Sequence, residues 1–336
     1  HNLHLKKGDS LVPGVSVHDN EWQFYCVSDC RHSLVLCLYE NTGQLYAQID
    51  MLPFKIAGNV YSVRITGLEE KDLEYAYEAD GRPCCDPYKK KSAGHSKWGE
   101  FDIDGENIRS GFYRDEFDWG DDVPLKLPYN QIIAYSMHVR GFPKHSSSGV
   151  KAKGTYLGII EKIQYLKELG INQIELLPIY EFYELDVEKE LLPEGHPKYL
   201  KDRKEPPEAK INYWGFKYGS YYVPKASYAY GEDSTAEFKT LVKELHKNGI
   251  EIILQFYFPN EINRTVILDC LKFWTINYHV DGFHIMGEHL PIDFIASDPL
   301  LTDTKLYYAY YDKEHIFLGK YEHNHFLAEV NQEYMN

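Results

Sequence analysis

The chain has 336 residues, enough for one or two hydrophobic cores. Its net charge of −15 disfavours nucleic acid, whose phosphates it would repel, and fits a neutral or cationic partner better. No run of about 18 uncharged apolar residues occurs, which argues against a membrane span, and the opening stretch, with Lys6 and Lys7, lacks the apolar centre of a secretory signal. Position 1 is His1, compatible with removal of an upstream segment. The cysteines are dispersed (Cys26, Cys30, Cys37, Cys84, Cys85 and Cys270) without the paired CxxC spacing of a zinc site, so reduced thiols in a cytoplasmic protein are expected. Adjacent Cys84 and Cys85 would make a strained disulfide. Tyrosine is common at 29 residues; such rings stack on sugars but equally fill cores.

The first 80 residues alternate short β-like runs with turns, predicting strands at 22–28, 33–40, 60–66 and 73–80. In the third, Tyr61, Val63 and Ile65 face one way while Ser62, Arg64 and Thr66 face the other. Asn41-Thr42-Gly43 and Asp80-Gly81 are turn signals, and strands at this spacing suggest a β-sandwich. A polar stretch from about Cys84 to Pro128 joins it to the remainder of the chain. The expected division is therefore 1–125 for the sandwich with its linker and 126–336 for the rest.

From Gln131 apolar strand-like runs alternate with amphipathic helices, as in a parallel sheet covered by helices. Strands are predicted at 132–139, 171–179, 250–258, 280–286 and 305–312. Tyr156, Leu157, Ile160, Ile163, Leu166 and Leu169 recur at helical spacing before Gly170, predicting one helix over 156–169. Ser234-Thr235-Ala236-Glu237 reads as a capping box, and a further helix is expected over 266–278. Five such strands suit the start of a (β/α) barrel or an open doubly wound sheet, and periodicity does not choose between them. No GxGxxG or GxxxxGK[ST] string follows a strand, so a phosphate cradle for a nucleotide cofactor is unsupported and none is expected.

Particular strings carry a resemblance. AYSMHVRGFPKHSSSGVKAKGTYLGIIEKIQYLKELGINQIELLPIYEF (134–182), NYWGFKYGSYYVPKASYAYG (212–231), VDGFHIM (280–286) and DPLLTDTKLYYAYYD (298–312) occur in that order. They resemble the isoamylase, pullulanase and glycogen-debranching branch of glycoside hydrolase family 13, and GDSLVPGVSV (8–17) is similar to the start of that branch's family 48 carbohydrate-binding module. The resemblance implies an immunoglobulin-like β-sandwich followed by a (β/α) TIM-type barrel, here apparently incomplete at its C-terminus. Five strands do not close an eight-stranded barrel, so its edges need a cover or a continuation of the chain.

A retaining glycosidase needs two carboxyl groups about 5 Å apart, one as nucleophile and one as acid/base. The family places its nucleophile in a GFRxD-like string; this chain has Gly282-Phe283-His284-Ile285-Met286, so His284 stands for the orienting arginine and Met286 for the nucleophile. Ala309 stands for the acid/base glutamate of a TKLxxE-like string, and Gln255 to Asn260 carries none of the family's third-strand polar residues in register. Removing both carboxyls removes covalent catalysis and proton transfer. The resemblance therefore implies a catalytically degenerate relative, with no catalytic residue to name. Relocated acids at Glu288, Asp293 or Asp312 are the enzymatic alternative.

Tyr213, Trp214 and Phe216 match a family loop whose aromatic stacks on sugar, with Phe216 at the stacking position; packing within the loop is the plainer reading. Trp22 and Trp98 are a possible glucan platform or buried sandwich tryptophans. His315, His323 and His325 lack further ligands at metal spacing, so no metal is expected, and Arg140 reads as a loop anchor. The functional expectation is a non-catalytic glucan-binding or regulatory protein of glycogen or starch metabolism. Its partners would be α-glucan or maltooligosaccharide, or an active amylolytic enzyme, with no nucleic acid and no membrane. The alternatives are a hydrolase with relocated acids and a scaffold for an unrelated interaction.

Overall fold

A computed structural model describes residues 3–9, 11–69, 73–99, 109–186, 210–311 and 326–331. The chain divides into two compact units. The first comprises His1–Glu116, Tyr183–Asn212 and Ser220–Ala226; the second comprises Phe117–Phe182, Tyr213–Gly219 and Ser227–Asn336.

Among the described residues the first unit is built on two five-stranded antiparallel sheets, with a short antiparallel pair of Leu185–Asp186 and Lys210–Ile211 in the same unit. One orders β1 (His4–Lys7), β7 (Val60–Thr66), β3 (Glu21–Val27) and β2 (Gly14–His18), with β6 (Lys55–Ala57) also on β7. The other orders β10 (Ser110–Gly111), β8 (Leu73–Ala79), β4 (Leu34–Glu40) and β5 (Leu45–Asp50), with β9 (Arg82–Cys84) also on β8. Their inner faces share one core, in which Trp22, Phe24, Val63 and Ile65 meet Leu36, Leu38, Tyr75 and Tyr77. This is the expected β-sandwich. Trp22 is 1% exposed and edge-on to Phe112 at 4.9 Å, so it is a core residue and not a platform. Trp98 is half-buried beneath the Lys225 ammonium, 5.6 Å from its ring.

In the second unit six parallel strands run in the order β11 (Ala134–Met137), β12 (Gln173–Leu176), β13 (Glu251–Phe258), β14 (Gly282–Gly287), β15 (Lys305–Tyr308) and β16 (Leu327–Glu329). The sixth was not expected: Leu327–Glu329 is too short to show a period, and only its pairing with β15 makes it a strand. Among the described residues five α-helices accompany the sheet: α1 (Tyr156–Ile160), α2 (Ile163–Glu168), α3 (Ser234–Lys247), α4 (Arg264–Tyr278) and α5 (Ile292–Ser297). The single helix expected over 156–169 is broken, because the Lys162 amide bonds Ile159 O, three residues back, and tightens the turn there. Helix α3 is capped by Asp233, whose carboxylate accepts from the Thr235 and Ala236 amides. Glu237 of the supposed capping box instead holds the Tyr230 amide at 2.7 Å.

Candidate functional site

Pleat parity gives the sheet two unlike faces. Ile252, Leu254, Phe256, Phe283 and Ile285 point to the helices; Phe256 lies 5.8 Å from Trp274 of α4, which lies 5.6 Å from Phe238 of α3. The opposite face takes Gln173 and Glu175 from β12, Glu251, Gln255 and Tyr257 from β13, His284 and Met286 from β14, and Lys305 and Tyr307 from β15. Polar residues at alternate positions of otherwise apolar strands mark this face, and they bond to one another in layers.

The lowest layer is a closed ion pair. Lys305 Nζ lies 2.6 Å from Glu251 Oε1, both side chains being buried, and Gln173 Nε2 donates to Glu251 Oε2 at 2.9 Å. Tyr307 Oη donates to Gln173 Oε1 at 3.0 Å. One layer nearer the strand ends, Glu175 Oε1 receives His284 Nδ1 at 2.6 Å and Gln255 Nε2 at 2.7 Å. Burial pushes the Glu175 carboxyl upward, but the His284 hydrogen bond and charge and the Gln255 hydrogen bond outweigh it, so its pKa is lowered overall. Gln255 is 9% exposed, and its Oε1 has no hydrogen-bond partner among the described residues.

Above this layer the strands finish in uncharged groups. Met286 shares the His284 side of β14, pairs in register with Tyr257 and is half-buried. Ala309 follows the last residue of β15 and is exposed. Of the acids considered for relocation, Glu288 lies just past β14 and is held at 3.0 Å by Asn260, which lies just past β13. Asp293 is in the first turn of α5, exposed. Asp312, His315, His323 and His325 lie outside the described residues. Glu175 was missed by the sequence reading, although its signal was present: Gln173 and Glu175 alternate with Ile174 and Leu176.

The aromatic loop is anchored by His138, at the end of β11. His138 Nδ1 accepts from the Arg140 and Gly141 amides, each at 3.1 Å, and Nε2 lies 2.7 Å from Tyr213 O, which fixes the Nε2–H tautomer. The Tyr213 ring stacks on the imidazole at 4.1 Å, so Tyr213 packs the loop. A side chain at Gly141 would strike the Tyr213 hydroxyl, 2.5 Å from where a Cβ would stand. Trp214 stands on this base 57% exposed, and Phe216 is also exposed.

At the N-terminal end of the strands lies a second network, also unforeseen. His246 of α3 is buried between Asp122 and Asp281, each oxygen 2.8 Å from a ring nitrogen. Asp281 Oδ2 also accepts the Ile252 amide at 2.8 Å, and Asp122 receives His279 at 2.7 Å. Trp119 stacks on His279 at 3.9 Å. This network ties α3 to the starts of β13 and β14.

A parallel sheet with helices on one face and a polar, layered opposite face is the architecture of part of a (β/α) barrel. The family profile "Alpha amylase, catalytic domain" matches residues 137–260. Rice (Oryza sativa subsp. japonica) chloroplastic isoamylase 1 is 28% identical over 96% of this chain and 51% of its own. A glycogen operon protein GlgX homolog of Haemophilus influenzae is 28% identical over 80% of this chain and 48% of its own. Among solved structures, the product complex of the glycogen-degrading pneumococcal virulence factor SpuA superposes with a TM-score of 0.71 at 18% identity, covering 90% of this chain and 37% of that one. Paenibacillus barengoltzii pullulanase, solved with maltohexaose and alpha-cyclodextrin, gives 0.62 at 19% identity, covering 83% of this chain and 49% of that one. Residues 137–260 thus resemble the catalytic domain of the alpha-amylase family, glycoside hydrolase family 13, and most of the chain is similar to isoamylases and glycogen operon proteins of that family. The chain spans about half the length of the curated relatives it matches.

Proposed function

We propose that this chain is a non-hydrolytic α-glucan-binding relative of the debranching enzymes, with a first unit of the family 48 carbohydrate-binding type. One observation carries the reading: the polar face ends in Met286 and Ala309, where the family resemblance calls for a nucleophile and an acid/base. A thioether and a methyl group neither attack an anomeric carbon nor move a proton. The exposed Trp214 and Phe216, raised on the His138–Tyr213 stack, supply sugar-stacking surface. The pullulanase neighbour was solved with maltohexaose, which supports maltooligosaccharide as the ligand class. Titration of the chain with maltohexaose in a calorimeter should give saturable heat at millimolar concentration or below, with no reducing ends released from glycogen or pullulan. Absence of heat with any glucan ends the reading. A supporting role beside an active amylolytic enzyme would appear as co-purification of that enzyme.

Glu175 favours a second reading, a hydrolase with relocated acids. It is a half-buried carboxylate on the correct face, with Glu288 at the strand ends. Reducing ends released by the unmodified chain and lost in Glu175→Gln would establish it.

A further inference from the structure

We propose that the loop after β11 binds a phosphomonoester carried on a glucose unit, through Lys144, Lys151 and Lys153. The inference rests on the glucan-binding reading and names a class of glucan for it. Residues 138–153 contain Arg140 and these three lysines and no aspartate or glutamate, within a chain of net charge −15. So local a reversal of sign, on a loop at the strand ends, is the mark of a surface that meets an anion.

The fold gathers these cations. Ser148 Oγ donates to Pro143 O at 2.9 Å, and Thr155 Oγ1 donates to Ala152 O at 2.8 Å. Both carbonyl-bearing residues close on Gly158, where an added Cβ would lie 2.2 Å from Ala152 O and 3.1 Å from Pro143 Cβ. Lys144 follows Pro143, and Lys151 and Lys153 flank Ala152, so the three stand on neighbouring stretches of backbone. An added Cβ on Gly154 would lie 3.4 Å from Arg140 Cγ, which brings the guanidinium stem beside Lys153. All three lysines are exposed, and none has an ion pair among the described residues. Partial desolvation, and then the neighbouring Arg140 charge, lower the Lys144 pKa. The Glu161 carboxylate accepts from the Lys151 and Ala152 amides at 2.9 Å each and so fixes this end of the loop.

Several exposed ammonium groups on one loop suit an oxyanion with more than one charge, since each lysine acts as a point charge. The same loop carries His138, on which Tyr213 stacks and whose ring lies 6.0 Å from that of Trp214, so one loop bears both the lysines and the base of the exposed tryptophan.

The test is calorimetry on the whole chain with four probes: maltohexaose, maltohexaose bearing a 6-phosphate, glucose 6-phosphate and inorganic phosphate. The phosphorylated hexaose should bind about tenfold more tightly than the neutral one at low salt, with the gain shrinking in about 0.5 M salt as surface charges are screened. Lys144→Gln/Lys151→Gln/Lys153→Gln should abolish the gain, and the matching triple arginine variant should keep it. Equal affinity for both hexaoses, or a gain that survives the glutamine variant, overturns this inference and leaves the glucan reading standing. Inorganic phosphate binding as tightly as the phosphorylated hexaose overturns the sugar-linked ligand, and silence from neutral maltohexaose overturns the glucan reading itself.

Discussion

At the N-terminal end of the parallel sheet Lys305 is locked to Glu251 and His246 is clamped by two aspartates, whereas at the C-terminal end the strands finish in Tyr257, Met286 and Ala309. The lower charges are buried and mutually dependent, and they join segments far apart in sequence. The upper residues are uncharged and partly open to water. A fold held from below in this way tolerates replacement of the groups at its mouth, because none of them balances a buried charge. Fold and chemistry are therefore separable in this chain, and each end can be perturbed without the other.

The largest effect is expected from Lys305→Met. It leaves Glu251 buried with its opposite charge gone, and breaking such a pair costs about 3–5 kcal/mol. Urea unfolding should show this as a lower midpoint at unchanged slope. A loss below about 1 kcal/mol would mean that water reaches the floor of the sheet and that the two ends do not differ.

The pH dependence should follow His246. Burial alone would lower its pKa, but the hydrogen bond and charge of Asp281, joined by those of Asp122, raise it from 6.5 to about 9. A folded value above the unfolded one means that the stabilisation is fully present below pH 6.5 and is lost as pH rises toward 9. It amounts to on the order of 3 kcal/mol, so unfolding midpoints should fall across that window. His246→Gln should flatten the profile there. Glu175 acts in the opposite sense: its lowered pKa gives a contribution that is present at neutral pH and lost under acid.

Much of this fold was legible in the sequence. The runs at 60–66 and 251–258 show their strands directly, one by clean alternation and one by a continuous apolar stretch. The edge strands His4–Lys7 and Gly14–His18 were not legible, because short segments rich in polar residues become strands only through their partners. His284 and Met286 fall on β14 and Ala309 just past β15, where the runs at 280–286 and 305–312 put strands. Glu175 could not be assigned to His284: the two lie 109 positions apart, and which polar residues meet depends on register and sheet curvature. The His246 clamp was hidden for the same reason, since Asp122 lies in a stretch that reads as a connector.

A smaller effect is expected from Trp214→Ala. With 57% of its surface exposed, the ring contributes little to stability. Its loss should weaken maltohexaose binding by about tenfold, roughly 1.4 kcal/mol, with the unfolding midpoint unchanged. A fall in stability with affinity intact would return Trp214 to loop packing.

The smallest effect is expected at Met286, where the contrast between the two ends is tested most directly. Met286→Leu conserves volume and should change stability by less than about 1 kcal/mol. Met286→Asp should cost only about 1 kcal/mol more, because a half-buried position lets the carboxylate keep much of its hydration. The new carboxylate alone should not release reducing ends, since Ala309 still offers no proton donor. A cost of several kcal/mol for Met286→Asp, matching that of Lys305→Met, would mean that the upper layer is as dry as the lower one. Sugar could not then reach Met286 from the strand ends, and glucan bound to the chain would have to lie on the Trp214 loop alone.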